Sequence, residues 1–107
     1  DGAVRYQEWK GRVVAAYIDA LQAMGKEQRK AFEAYTDFTK KKPIAKTPGK
    51  IWMELKITWM NKAHGDCDNV FKGIADALFM NDKYLAGSFD YTYGPKGKVE
   101  IIITFDT

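Results

Sequence analysis

Nine consecutive residues, His64-Gly65-Asp66-Cys67-Asp68-Asn69-Val70-Phe71-Lys72, hold the groups in this sequence best suited to chemistry. Asp66 and Asp68 stand two apart, where an alternating strand pattern gives way to a helical one. In extended chain such a pair points to one side, with Cα atoms roughly 6.6 Å apart. Two carboxylates about 7 Å apart repel by about 2 kcal/mol at an effective dielectric of ~20, so the pattern predicts a cation between them. Hard oxygen donors, with no set of thiolates or imidazoles nearby, point to Mg²⁺ or Mn²⁺. Asn69 adds a neutral oxygen, and Lys72 follows Asp68 by one helical turn on the same face. A plainer reading stands beside this one: an Asp ahead of an apolar-periodic run is an ordinary helix N-cap, contributing about 1 kcal/mol. A calcium loop is excluded, because Val70 stands where it needs an oxygen ligand and Phe71 where it needs glycine.

The elements that must position these groups can be read from the patterning. With 107 residues, 46% hydrophobic and 14% aromatic, the chain predicts one globular domain with a modest core. One cysteine excludes an internal disulfide, and with one histidine it excludes the usual Cys/His zinc site. A reducing cytoplasm is the expected location. No apolar run approaches the ~20 residues of a membrane span, so no membrane partner is expected. The net charge of +3 is only mildly basic, which leaves the distribution of charge to decide about partners. The sequence opens on Asp1 rather than Met, from which we expect that an N-terminal portion is missing.

Tyr6, Trp9, Val13, Tyr17, Leu21 and Met24 recur at helical spacing, with Val14 and Ala20 widening the stripe and Gly25 placed as a C′ stop. Gly11 inside this pattern suggests a close packing contact. A second helix is expected from Lys26, with Ala31, Phe32, Tyr35 and Phe38 on its apolar side, and core packing is the expected use of these aromatics. Residues 39–50 carry five lysines, two prolines and no acid, so they read as a basic loop. Such a run is usually only a solvated loop, but Lys40, Lys41, Lys42 and Lys46 would also suit a phosphate backbone. Ile51, Met53, Leu55, Ile57 and Trp59 alternate with polar or exposed positions and predict a half-buried strand.

His64 is then either a solvent-facing loop residue or, with Lys62, a phosphate contact beside the acids. A helix is predicted from about Asp68 to Phe79, with Val70, Phe71, Ile74, Ala77 and Leu78 inward. On it Lys72 either pairs with Asp76 four residues on or stabilises charge on a phosphate. Asn81-Asp82 follows at the next turn. Phe89, Tyr91 and Tyr93, the turn residues Gly94-Pro95-Lys96-Gly97, and Val99, Ile101, Ile103 and Phe105 read as a C-terminal hairpin. The fold class is therefore α+β: a small mixed sheet of a central strand plus the hairpin, with helices packed on one face.

At this point the run from Asp66 to Leu78, followed by Asn81-Asp82, resembles the RusA-type Holliday-junction resolvases. Their pattern is D-x-D-N-x-x-K, then D-A-L on the same helix, then an acid at the next turn. Gly2 and Tyr6 resemble the beginning of that family's first helix, so the likeness spans nearly all of residues 1–107. It implies a homodimeric, Mg²⁺-dependent (or Mn²⁺-dependent) endodeoxyribonuclease that resolves four-way DNA junctions in a bacterial or phage-infected cytoplasm. It implies Asp66, Asp68 and Asp82 as metal-binding acids and Lys72 as the catalytic lysine. Lys40, Lys41, Lys42, Lys46, Lys62, His64 and Asn69 would then face DNA. The sequence departs from the family in a shorter link from Leu78 to Asp82, an absent N-terminal strand and a basic stretch thinned to Lys62 and His64. The competing reading is a non-catalytic DNA-binding module whose acids are helix caps.

Overall fold

The computed structural model describes residues 2–46 and 49–105. The order is α1 (Gly2–Ala23), α2 (Lys26–Glu33), β1 (Ile51–Trp59), α3 (Cys67–Leu78), β2 (Leu85–Tyr93) and β3 (Lys98–Phe105), an α+β fold with a three-stranded mixed sheet. The chain groups into two compact units, residues 1–47 with 73–82 and residues 48–72 with 83–107, so α3 passes from the second into the first partway along its length.

In the first unit α1 follows the predicted stripe. Val13 and Leu21 are buried and Trp9 and Tyr17 half-buried, while Tyr6 stays largely exposed. Burial pushes the Tyr17 hydroxyl pKa up, although its hydrogen bond with Thr36 Oγ1 (2.8 Å) opposes the shift. Gly25 is not a left-handed stop. It lies at φ −63°, ψ 154° as the extended residue that opens α2, and α1 ends on a bond from Met24 N to Leu21 O (3.3 Å). Helix α2 ends at Glu33, and Phe38, expected on its apolar side, is exposed.

The basic segment is not a plain loop. Pro43 and Ile44 are fully buried in it, and Ile44 bridges to Thr36 on one side and Phe79 on the other. Ile44 N donates to Leu78 O (2.8 Å), and Met80 N donates to Ile44 O (2.9 Å). A lone isoleucine between lysines has no periodicity to announce it, yet it serves as a core residue of this unit beside Ile74, Ala75, Ala77, Leu78 and Phe79. The close approach suspected at Gly11 occurs instead at Gly73, where a Cβ would lie 2.8 Å from the Trp9 ring; Gly11 faces open space.

In the second unit β1 is the central strand, with Ile51, Met53, Leu55 and Ile57 buried on one face. The C-terminal strands do not form a hairpin. β2 runs parallel to β1 on one side (Leu55↔Phe89, Trp59↔Tyr93) and β3 runs antiparallel on the other (Ile51↔Phe105, Thr58↔Lys98). The four turn residues therefore cross over the end of β1, a step of about two strand spacings, or roughly 9.6 Å, where a hairpin turn spans one. Gly94 N donates to Trp59 O (2.9 Å) on the way across. Helix α3 makes the parallel pairing feasible, because a parallel neighbour needs a crossover of a dozen residues or more.

Gly87 on β2 is fixed by β1: a Cβ there would fall on the Met53 carbonyl and 2.9 Å from the Phe71 ring. Gly87→Ala is therefore expected to lower unfolding free energy in urea by about 1–3 kcal/mol, the usual cost of overpacking. Gly11→Ala, with open space at its Cβ, is expected to raise it by about 0.5–1 kcal/mol. Equal effects of the two substitutions would contradict the register of β1 and β2.

Candidate nucleic-acid and metal site

Helix α3 begins at Cys67, one residue before the predicted start, and this changes what each acid does. Asp66 is the cap. Its carbonyl accepts the first helical bond from Val70 N (3.3 Å), and its Oδ1 accepts from Asp68 N (3.0 Å). Asp68 lies inside the first turn, so the two acids are not an extended i, i+2 pair, and repulsion across a strand is not what relates them. Both carboxylates instead stand at the positive end of the helix dipole.

Lys72 pairs back to Asp68 (Nζ to Oδ2, 3.0 Å) and not forward to Asp76. The hydrogen bond to Asp68 raises the ammonium pKa, and the charges of Asp68 and then Asp66 add to the shift. Lys72 is thus a fixed cation at neutral pH, suited to electrostatic work and not to acting as a base. Its side chain is largely exposed and that of Asp68 about half-exposed, so the pair can be reached from solvent. Asn69 and Lys62 are also exposed.

His64 is held on three sides. Its ring stacks on Trp59 at 4.4 Å between centroids, 8° from parallel, and meets Tyr91 and Tyr93 at a tilt. Nδ1 lies 2.8 Å from Gly65 O, and Nε2 lies 2.9 Å from the Tyr93 hydroxyl. A carbonyl only accepts, so Nδ1 carries the proton, and in the neutral ring Nε2 accepts from Tyr93. The register of β1 and β2, with Trp59 opposite Tyr93, builds this cluster; the sequence pattern hides it because β2 reads as a partner of β3.

For Mg²⁺ the donor chemistry fits in part. Asp66 Oδ1 is bound to Asp68 N and Asp68 Oδ2 to Lys72, which leaves the second oxygen of each carboxylate for a cation. One or two carboxylates plus water and substrate phosphate are the usual company of this ion. Asp82 is exposed and belongs to the first unit, while Asp66 and Asp68 belong to the second. Among the described residues no group of three or more His, Cys, Asp and Glu side chains is gathered so as to hold a metal ion.

The basic residues divide into two kinds. Lys40, Lys41 and Lys46 are exposed. Lys42 donates to Asp76 Oδ1 (3.0 Å), while Lys10 donates to Asp76 Oδ2 (2.9 Å), so one carboxylate on α3 holds both the basic segment and α1. This clasp is invisible in the sequence, because a partner 66 positions away leaves no local pattern. Asp37 fixes the start of the segment: Thr39 donates to its Oδ1 from both Oγ1 (2.6 Å) and N (2.9 Å), and these bonds lower the Asp37 pKa. No helix among the described residues is long and apolar enough to cross a membrane.

The Lys10 and then the Lys42 hydrogen bond lower the Asp76 pKa below the usual carboxylate value. A depressed folded pKa gives stability that is present above the unfolded pKa of about 4 and lost as pH falls through the folded one. Asp76→Asn is therefore expected to flatten the acid limb of stability against pH, and solvent screening of the partly exposed carboxylate limits the loss at pH 7 to about 1 kcal/mol for each pair. Chemical denaturation from pH 7 to pH 2 checks this. Parallel curves for wild type and variant would mean that the clasp is absent in solution.

No family model, no curated protein and no solved structure matches this chain.

Proposed function

We propose that the protein is a Mg²⁺-dependent (or Mn²⁺-dependent) endodeoxyribonuclease acting on branched DNA. The single observation that carries this reading is the exposed first turn of α3, where Lys72 sits 3.0 Å from Asp68, whose own backbone N–H is bound by the capping carboxylate of Asp66. A cation beside two acids on a solvent-facing helix start is an arrangement that phosphodiester hydrolysis can use. The resemblance to the RusA-type resolvases supports the same reading, and with it Asp82 as the third acid, a homodimer and a four-way junction as substrate. Two related active sites on a two-fold dimer suit the paired nicks that such a junction needs.

In the reaction a water oxygen bonds to phosphorus in line with the leaving 3′ oxygen, the P–O3′ bond breaks, and the 3′ oxygen takes a proton. Bound to Asp66 and Asp68, the metal ion would lower the pKa of a water and polarise the phosphate. The protein's own part is electrostatic. Lys72 brings a permanent positive charge to the non-bridging oxygens, and Asp68 aims that ammonium. Asp66 fixes the turn by closing the helix, and His64, with its ring stacked on Trp59 and hydrogen-bonded to Tyr93, holds the chain on the approach to Asp66.

A second reading draws on one of the same bonds. Asp66 does cap the helix, as a non-catalytic DNA-binding module would require. Asp68→Asn separates the two. Asp68 is not the cap, so the substitution leaves the Asp66 bond in place and weakens only the Lys72 pair, and the fold is expected to survive. The nuclease reading expects cleavage of a labelled four-way junction in Mg²⁺ to fall by about three orders of magnitude or more. Junction binding in EDTA should be equal to wild type or tighter, because a negative charge facing the backbone is gone. A variant that cuts at the wild-type rate would end the metal-ligand reading of Asp68.

The exposed lysines have their own signature. Replacing Lys40, Lys41 and Lys46 with Ala is expected to flatten log K against log salt by about 0.9 for each phosphate that is no longer neutralised. Lys42 is left out because it holds Asp76. An unchanged slope would remove this segment from the DNA interface.

A further inference from the structure

The first unit holds a cavity of about 300 Å³, lined by α1, the basic segment and the second half of α3. Its size lies at the small end of ligand pockets. Lys10, Lys41 and Lys42 line it, against the one carboxylate of Asp76. Asp76 has an oxygen bound to each of Lys10 and Lys42, so it positions both ammonium groups and cancels only one charge. Each ammonium has three N–H donors, and each of these two spends one on Asp76. Lys41 is exposed at the rim, and Val14 and Ala77 give the cavity an apolar side.

We infer that this cavity binds the phosphate of a nucleotide unit. Two positive charges in excess, with N–H donors left over on prepositioned lysines, match a phosphate group, and a tetrahedral anion can accept from several ammonium groups together. The apolar side and the volume leave room for part of the attached sugar or base. Gly11, an exposed residue of α1, lines the cavity, and nothing lies within 4 Å of where its Cβ would be. Lys10 is further steadied over the Tyr6 ring at 4.7 Å. The site lies in the first unit and requires no cutting by the acidic turn; a free mononucleotide there goes beyond the nuclease reading, while a DNA strand there rests on it, since Lys41 belongs to the basic segment proposed above to face DNA.

The nucleotide unit can belong to a DNA strand or be a free mononucleotide, and the two arms of one experiment tell them apart. Amide spectra of the ¹⁵N-labelled protein are followed in EDTA during titration with adenosine 5′-monophosphate, and separately with a 12-nucleotide single strand that has no terminal phosphate. Shifts at Lys10, Gly11, Lys41 and Ala77 are expected in at least one arm, and the arm that shifts them names the source. Gly11→Glu places a carboxylate in the open space at no packing cost and is expected to weaken binding tenfold or more while the rest of the spectrum is kept. Lys41→Ala, at an exposed position, provides a second variant with an expected loss of threefold or more. Asp68→Asn is expected to leave these shifts unchanged, so a failed nuclease reading would not remove them. No shift at the four amides in either arm, or wild-type affinity in both cavity variants, would overturn the assignment.

Discussion

The two ion pairs of Asp76 do more than join three segments. Together with the buried stripe of Ile74, Ala75, Ala77 and Leu78, they hold the side of α3 that faces the basic segment. Once Asp76 holds Lys10 and Lys42, Gly73 meets Trp9 on α1, and Ile74, Ala75, Ala77 and Leu78 fall into the core. Ile44 then has Leu78 O and Met80 N as backbone partners. These pairs are only moderately shielded, so their energy is small beside that of the buried apolar side chains, and what they contribute is registry. The same helix carries Asp68 and Lys72 on its first turns and is capped by Asp66, so the clasp and the acidic turn draw on one element.

Fold class was legible in the sequence because it depends on periodicity. β1 alternates for nine residues and is buried on the expected face, and α1 shows its stripe along most of its 22 residues. What could not be read is the non-local part. The turn chemistry of Gly94-Pro95-Lys96-Gly97 suits a hairpin and a crossover alike, and only the pairing of β2 with β1 decides between them. That pairing also creates the Trp59–His64–Tyr93 cluster, in which His64 and Tyr93 are 29 positions apart in the chain.

Within the candidate site, residue types were more readable than roles. The carboxylates and Lys72 were evident, but the sequence treated the two acids alike, whereas a helix that starts at Cys67 makes Asp66 the cap and leaves Asp68 in the first turn, paired with Lys72. Both Asp68 and Asp76 lie four residues from Lys72, and the order of acid before lysine already favours Asp68. Lys10, at 66 positions from Asp76, settled the matter, because a carboxylate engaged by two other ammonium groups leaves Lys72 to Asp68.

The central claim is that the first turn of α3 holds a divalent ion, and paramagnetic broadening tests it without any DNA. Mn²⁺ is added in substoichiometric amounts to the ¹⁵N-labelled protein, and amide intensities are compared with and without excess Mg²⁺. Selective loss of the Asp66, Cys67, Asp68 and Asn69 signals, reversed by Mg²⁺ and absent in Asp68→Asn, is the expected result. Loss of Asp82 as well would add the third acid to the site. Uniform weak broadening along the chain, or broadening at the first turn of α3 that Asp68→Asn leaves unchanged, would contradict the account.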